Sequence, residues 1–312
     1  MNAANSIERS DIQQTILRTV AYFASFSYPL TVFEIWKWQK EPTRVFSFFE
    51  IQDALADLSW ANGRIQQSGA FYGWVDERTG SVEHQVEERQ RRYVHAFQKE
   101  RRLRWVLKWM RHIPFIEGIA VCNTLALHAA QERSDIDLFI LTSAGRVWSA
   151  RFWTVLPLRL FRLRPGEAKR DPVDTNFFVS RDAFDLSPLF LSHEDPYFLY
   201  WLATLSPVLD RGDVFTSFQK ENTHALSVLP AVSSIVRASH ARIRSGKGVR
   251  SGYGLFSESC VRHFQEWMFP TDTRALLQKN TCVIANAAVL KFHKNDRREE
   301  VKAAYLRRLS HV

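Results

Sequence analysis

Residues 118–142 read GIAVCNTLALHAAQERSDIDLFILT, and this stretch decides the expected fold of the central part of the chain. An apolar run ends at the turn CNT, and a second apolar run opens on SDIDL. Because side chains alternate faces along a strand, Asp135 and Asp137 are expected to share one face while Ile136 and Leu138 enter the core. The sequence therefore predicts two strands, joined by a turn and a short helix, with paired carboxylates at the start of the second strand.

This carboxylate pair indicates a metal site. Asp135 and Asp137 can share a hard divalent cation, Mg²⁺ or Mn²⁺, through oxygen ligands. Such ions neutralise a triphosphate and align an attacking hydroxyl group. The turn before the pair presents backbone N–H groups that suit phosphate oxygens. The pattern is therefore typical of chemistry on a nucleoside triphosphate.

The stretch resembles the nucleotidyltransferase superfamily related to DNA polymerase beta. Its signature is a hydrophobic strand, Gly-Ser or Gly-Gly, roughly ten further residues, and Asp-x-Asp in a strand. Here Asn123 and Thr124 stand in the Gly-Ser place, and Asp135 and Asp137 match the aspartates. This resemblance covers residues 113–182. A wider resemblance, to a group of bacterial proteins of uncharacterised activity, includes the wing-like front end, the VCNT turn, SDIDLFI and LKFHKNDRR near the end.

The resemblance implies transfer of a nucleoside monophosphate from a nucleoside triphosphate to a hydroxyl acceptor. The acceptor stays open between a small molecule, an RNA end and a protein side chain. Asn123, Thr124 and Ser134 are expected to border the nucleotide. Asn tolerates the left-handed backbone that Gly would adopt at this turn, and Thr124 retains the hydroxyl group of Ser.

Basic residues near the motif are candidates for binding triphosphate oxygens. Arg133, Arg146 and Arg151 are close to it in sequence, and guanidinium groups form charge-assisted hydrogen bonds to phosphate. Arg133 and Arg146 are assigned to the nucleotide. His293, within LKFHKNDRR, is open between a functional role and the capping of a helix end.

Active members of the superfamily carry a third carboxylate on a later strand. The expected position holds Asn176, whose neutral amide attracts a divalent cation less than a carboxylate does. Asp174 has the same strand parity and is the candidate replacement, so Asp135, Asp137 and Asp174 are the predicted catalytic residues. The alternative is a degenerate protein that keeps the fold to bind nucleotide or nucleic acid without catalysis.

Residues 1–82 read as a winged-helix-like domain of three helices followed by a hairpin. Capping-box patterns start the second helix at Thr31 and the third at Ser47. The third helix is acidic, whereas a helix that approaches DNA phosphates should be basic. We therefore expect weak, nonspecific nucleic-acid binding, and a DNA-binding regulator is kept as a further alternative.

The remaining chain is divided into a long basic connecting helix, residues 83–112, a nucleotidyltransferase-like core, residues 113–205, and a mostly helical region, residues 206–312. The segment 244–254, RSGKGVRSGYG, reads as a loop. The predicted class is α/β (α+β), with a mixed sheet in the core. The predicted core strands are 115–122, 138–141 and 176–179, and the predicted core helices are 146–161 and 189–205.

Composition is compatible with these expectations. Of the 312 residues, 46% are hydrophobic, which suffices for folded cores, and Lys and Arg outnumber Asp and Glu by 42 to 33, which favours phosphate-bearing partners. The three cysteines have no metal-ligand spacing and an odd number, so a reducing, cytoplasmic location is expected. No apolar stretch is long enough to span a membrane, and the first residues lack the apolar core of a signal peptide.

Overall fold

The structure is a computed structural model, and it describes residues 3–191, 195–233, 243–245, 257–277, 281–293 and 295–310. Its α-helices are α1 Ala3–Phe23, α2 Val32–Lys37, α3 Phe48–Leu55, α4 Val82–Met110, α5 Asn123–Ala126, α6 Val147–Leu160, α7 Pro196–Thr204, α8 Val214–Glu221, α9 Thr223–Leu226, α10 Pro230–Ser233, α11 Glu258–Trp267, α12 Thr271–Leu276 and α13 Arg298–Ser310. Its strands are β1 Leu30–Thr31, β2 Ile65–Ser68, β3 Phe71–Trp74, β4 Ile116–Val121, β5 Ile136–Thr142, β6 Val173–Ser180, β7 Ser206–Arg211, β8 Ile243–Ser245, β9 Val283–Ala285 and β10 Val289–Phe292.

The strands form two sheets, which makes the chain a mixed helix-and-strand protein. The small sheet has the order β1-β3-β2, and the large sheet has the order β8-β7-β4-β5-β6-β10-β9. The large sheet is mixed: β5 pairs with β6 in parallel and β7 with β8 in parallel, while β4 is antiparallel to both of its neighbours. The predicted mixed sheet is therefore present.

Helices α2 and α3 begin where the capping patterns predict. The Thr31 side chain accepts a hydrogen bond from the Glu34 N–H while the Glu34 carboxylate accepts one from the Thr31 N–H, and Ser47 and Glu50 repeat the arrangement. Each box satisfies N–H groups that the first turn of a helix leaves without partners. The predicted hairpin of β2 and β3 is also present, and Gly69 at its turn has a φ of +57°.

The first 82 residues share their hydrophobic core with later parts of the chain. The rings of Tyr22 on α1 and Tyr200 on α7 are stacked with centroids 4.0 Å apart. Tyr305 on α13 belongs to the same buried cluster, and Arg308 on that helix forms an ion pair with Asp76 at 3.0 Å. The first three helices and the small sheet are therefore packed onto α7 and α13.

The segment from β4 to β6 supports the candidate site. The turn with α5 joins the antiparallel pair β4 and β5, and α6 makes the crossover from β5 to its parallel neighbour β6. Parallel neighbours require such a crossover, which here is a helix. Ile119, Ile140 and Phe178 from these three strands are fully buried on the face that packs toward α4 and α6.

The region after residue 205 was predicted to be mostly helical, and most of its described residues are helical, but it also contains strands that the sequence did not predict. In its described parts it contains α8 to α13 but also β7, β8, β9 and β10, four strands of the large sheet. All four residues of β10, VLKF, are buried, so the strand shows no alternation of polar and apolar residues. Periodicity cannot distinguish so short a segment without alternation from part of a buried helix.

Two further segments compare with their predictions as follows. The helix predicted over 189–205 begins only at Pro196, because Asp195 caps its first turn and proline suits the first helical position. The predicted loop 244–254 lies outside the described residues except for its first two residues, which belong to β8.

None of the helices in the described parts of the chain is both long and apolar enough to cross a lipid bilayer.

Candidate functional site

The two aspartates of the motif lie where β5 begins. Asp135 directly precedes the strand and Asp137 is its second residue, while Ile136 and Leu138 are buried on the opposite face. Asp135 and Asp137 both line a cavity of 540 Å³, which we call the aspartate cavity. Strand alternation, as the sequence predicts, thus turns both carboxylates toward the same space.

Asp174 on β6 joins this pair. In the parallel pairing of β5 and β6, Asp174 lies directly opposite Asp137, and it lines the aspartate cavity as well. Neighbouring strands lie about 4.8 Å apart, so this register brings the two residues next to each other. Asn176, two residues further along the same face, also lines the cavity and donates a hydrogen bond from Nδ2 to Asp174 Oδ2.

The three carboxylates repel one another in a partly desolvated space. Burial, together with the charges of Asp137 and Asp135, raises the pKa of Asp174 to about 7. Burial likewise raises the pKa of Asp137 to about 6, against a hydrogen bond from the Asn123 side chain that lowers it. Burial also raises the pKa of Asp135, although Lys99 opposes that shift. A cation at this position would relieve the repulsion.

The donor set suits Mg²⁺ or Mn²⁺, because carboxylate oxygens are the ligands that such hard cations prefer. Within the described residues, however, no group of three or more His, Cys, Asp or Glu side chains is arranged so that it could hold a metal ion. Two of the carboxylates accept hydrogen bonds from amide side chains: Asp137 from Asn123, and Asp174 from Asn176. The three aspartates are therefore a group of neighbouring acidic side chains in the wall of the cavity.

The turn between β4 and β5 has the predicted backbone. Asn123 has a φ of +56°, so the expectation that Asn replaces Gly in a left-handed position is confirmed. Thr124 and Ser134 line a second space of 430 Å³, the adjoining pocket, and Asn123 lines both this pocket and the aspartate cavity. Of the three residues predicted to border the nucleotide, Asn123 therefore lies between the two spaces, whereas Thr124 and Ser134 line the adjoining pocket alone.

Arg133 and Arg146, which the sequence assigned to the nucleotide, line neither space. Arg133 is exposed in the turn before β5. Arg146 follows the far end of β5, where its guanidinium lies 5.2 Å from the centre of the Phe115 ring. A strand of this length extends over roughly 20 Å, so closeness in sequence to the motif did not bring Arg146 to the aspartates.

Other basic residues line the aspartate cavity instead. Arg151, the third arginine singled out from the sequence, comes from α6, and Arg164 comes from the segment that leads to β6. Lys291, Arg297 and Arg298 come from β10 and the start of α13. Sequence reasoning did not assign these last three, although the stretch LKFHKNDRR that contains them was noticed as a motif.

Part of this basic group has a structural role. Arg298 is buried and pairs with Asp296 and with Asp195, and its Nη1 donates to the Leu189 carbonyl at 2.7 Å. Lys291 Nζ donates to the Thr281 carbonyl at 2.8 Å, and burial lowers its pKa to about 8. These contacts attach the start of α13 to the wall of the cavity.

His293 also lies in that wall and caps no helix in the described residues. Its ring meets the Phe177 ring edge to face, with centroids 6.0 Å apart. Burial and the neighbouring Lys291 lower the pKa of His293 to about 4, so the imidazole is neutral at neutral pH. His128, by contrast, lies away from the cavity, with its Nδ1 3.6 Å from Glu100.

Comparisons of the chain with protein-family models, with curated proteins and with solved structures gave no match.

Proposed function

We propose that the chain is a metal-dependent nucleotidyltransferase, which transfers a nucleoside monophosphate from a nucleoside triphosphate to a hydroxyl acceptor. The observation that carries the proposal is the register of β5 and β6, in which Asp137 and Asp174 are direct neighbours beside Asp135. The left-handed turn at Asn123, next to this cluster, supports the same assignment. The core from β4 to β6 is then a nucleotidyltransferase-like fold, and residues 1–82 are a winged-helix-like unit.

In this proposal the aspartates and the turn have separate tasks. Asp135, Asp137 and Asp174 would hold Mg²⁺ or Mn²⁺, which would neutralise the triphosphate and polarise the attacking hydroxyl group. Asn123 and Thr124 border the triphosphate, and the N–H groups of their turn face its oxygens. The acceptor oxygen bonds to the α-phosphorus while the bond to the β-phosphate oxygen breaks and pyrophosphate leaves. The hydroxyl proton passes to the Asp174 carboxylate.

The test is pyrophosphate release by the full chain from a panel of nucleoside triphosphates, with Mg²⁺ or Mn²⁺ and a cell extract as the source of acceptor. We expect release by the wild type and at least a hundredfold loss in Asp135→Asn and Asp137→Asn. Asp53→Asn, an exposed change on α3, is the matched control and should keep the activity. Equal release by wild type and both motif variants would contradict the proposal.

Asp174→Asn separates the chemical step from binding. Because Asp174 would act on the acceptor hydroxyl group, whereas Asp135 and Asp137 would hold the ion at the triphosphate, its loss should lower turnover by at least a hundredfold while nucleotide affinity, measured by calorimetry, changes less than threefold. A parallel loss of affinity and turnover would make Asp174 only another part of the nucleotide site.

A nucleotide-binding protein without transfer activity is the second candidate. The observation that favours it is the hydrogen bond from the Asn176 amide to Asp174, which occupies one oxygen of the third carboxylate. Metal-dependent nucleotide binding without pyrophosphate release, over the whole panel, would support this candidate. For either function, the three free cysteines are compatible with a reducing, cytoplasmic location.

A further inference from the structure

The aspartate cavity has a basic side that the proposed chemistry does not use. Arg151 lies on α6, where its Nη1 donates to Gln265 Oε1 on the neighbouring helix α11. The rings of Phe269 and Phe292 flank its guanidinium at 5.5 and 4.7 Å. Its Nε is buried and has no hydrogen-bond partner among the described residues, so the N–H donors of this guanidinium, which lines the cavity, are not all used within the described protein.

Arg164, in the segment before β6, lines the same side of the cavity as Arg151. In the described parts of the chain, no carboxylate forms an ion pair with Arg151 or Arg164. The positive charge of Arg164 opposes the rise in the pKa of Asp174. Burial and, after it, the charge of Arg164 lower the pKa of Arg151 to about 9. The negative charge of Asp174 balances the positive charge of Arg164 at a distance. A cation bound at Asp174 would neutralise this negative charge, and a further anion would then stabilise the two guanidinium groups.

The position of the arginines separates them from the nucleotide. The turn at Asn123 follows β4, whereas Arg164 precedes β6 and Phe292 ends β10. In the strand order β4-β5-β6-β10, the aspartates of β5 and β6 lie between the turn and the two arginines. A triphosphate at the turn therefore leaves the arginine side to the second substrate.

We propose that Arg151 and Arg164 bind an anionic group, a phosphate or a carboxylate, on the acceptor that carries the attacking hydroxyl group. This inference rests on the proposed function and adds the class of acceptor to it. A planar guanidinium binds both kinds of anion through paired N–H donors, and partial burial strengthens these charge-assisted hydrogen bonds. The acceptor anion then holds the hydroxyl group next to Asp174.

The test measures binding of inorganic phosphate, and separately of acetate, to the full chain by calorimetry. Each titration is done on the free protein and on protein saturated with Mg²⁺ and the α,β-methylene analogue of ATP, which cannot donate its nucleoside monophosphate. We expect the wild type to bind at least one of the two anions in both states. Whichever of the two binds more tightly identifies the acceptor group as phosphate or carboxylate.

Single-residue variants locate the anion. Arg151→Gln and Arg164→Gln should each weaken binding of that anion at least tenfold and change affinity for the ATP analogue less than twofold. Arg159→Gln, an exposed arginine on the same helix that does not line the cavity, is the matched control and should leave both affinities unchanged. Arg151→Lys keeps the charge in case loss of the partly buried guanidinium disturbs folding, and it should retain part of the anion affinity.

Four outcomes would overturn the inference. Competition between the anion and the ATP analogue would show that the arginines serve the triphosphate. Unchanged anion affinity in both Gln variants would place the anion elsewhere. If neither phosphate nor acetate bound to the wild type, the arginines would not form an anion site. If anion binding depends on the arginines but the analogue does not bind with Mg²⁺, the anion site stands while the proposed function, and with it the acceptor role, fails.

Discussion

At the scale of single residues, the three aspartates of the cavity are ionisable groups held partly out of water close to one another. Burial and mutual repulsion raise their pKa values, so the folded chain binds protons at these positions more tightly than the unfolded chain does. Such groups lower the stability of a protein unless a ligand compensates them. They are typical of functional sites, where selection for activity outweighs stability.

This cost is measurable in Asp137→Asn. The pKa of Asp137 in the folded protein is about 6, above its ordinary value of 3.8, so the ionised group destabilises the fold above pH 6 and the effect fades as pH falls toward 4. Without metal at pH 8, the variant should be more stable by about 1–3 kcal/mol. Urea unfolding in the presence of a chelator tests this, and the gain should shrink at pH 5.

Asp53→Asn, on the exposed face of α3, is the control for a change of net charge. It should leave the urea midpoint unchanged at both pH values. A less stable Asp137→Asn variant at pH 8 would show instead that the carboxylate accepts hydrogen bonds which hold the fold together.

At the scale of elements, the long helix α4 connects the front of the chain to the sheet. Leu103, Val106 and Met110 on its second half are buried against the sheet. Lys99 is buried too, and its Nζ binds Asp171 at 2.7 Å and the Glu132 carbonyl at 2.9 Å. Because Lys99 also lowers the pKa of Asp135, this contact links the helix to the segment that carries the motif.

Lys99→Met tests the link. The change leaves the Asp171 carboxylate without its buried partner, and breaking a buried pair in this way costs about 3–5 kcal/mol. We expect a loss of that order in the free energy of unfolding, measured with urea. The control is Lys108→Met, an exposed position on the same helix, which should change stability by less than about 0.5 kcal/mol. Equal small effects of the two changes would contradict the role assigned to Lys99.

The short helix α3 bears on nucleic-acid binding. Its first turn contains Glu50, which pairs with Arg44 at 2.5 Å, and Asp53 on the same helix is exposed. Acidic groups at this position repel DNA phosphates. In a gel-shift series with duplex DNA, we therefore expect the full chain to bind no tighter than about 10⁻⁶ M at physiological salt, without sequence preference. Tight, sequence-selective binding would favour the DNA-binding regulator.

At the scale of the whole molecule, the first and last helices that the structure describes pack against each other. Helix α13 packs on α1, so Tyr305 lies in a core built mainly from the first 82 residues. The start of the same helix lines the aspartate cavity through Arg297 and Arg298. The last helix therefore connects the front unit, the large sheet and the candidate site.

Tyr305→Ala should destabilise the chain beyond the local helix. Tyr305 is buried, and replacing a large buried aromatic residue by Ala costs about 3–5 kcal/mol. Leu306→Ala removes an exposed side chain next to it and should cost less than about 1 kcal/mol. Urea unfolding monitored by tryptophan fluorescence compares the two variants. If both changes were equally mild, α13 would contribute little to the shared core.

The sequence by itself determined the features that depend on neighbouring residues. Strand alternation placed Asp135 and Asp137 on one face, capping boxes set the starts of α2 and α3, and Asn123 adopts the expected left-handed backbone. These features follow from steric limits on the backbone and from hydrogen bonds within a few residues. A single sequence contains all the information that such local rules need.

Only the tertiary structure decided which residues meet at the cavity. The register of β5 and β6 brought Asp174 beside Asp137, and pairing of β10 with β6 brought Lys291 and His293 to the same wall. It also left Arg146 at the far end of β5. The physical reason is that strand order and register depend on burial of side chains far apart in the chain, which no pattern of neighbouring residues encodes.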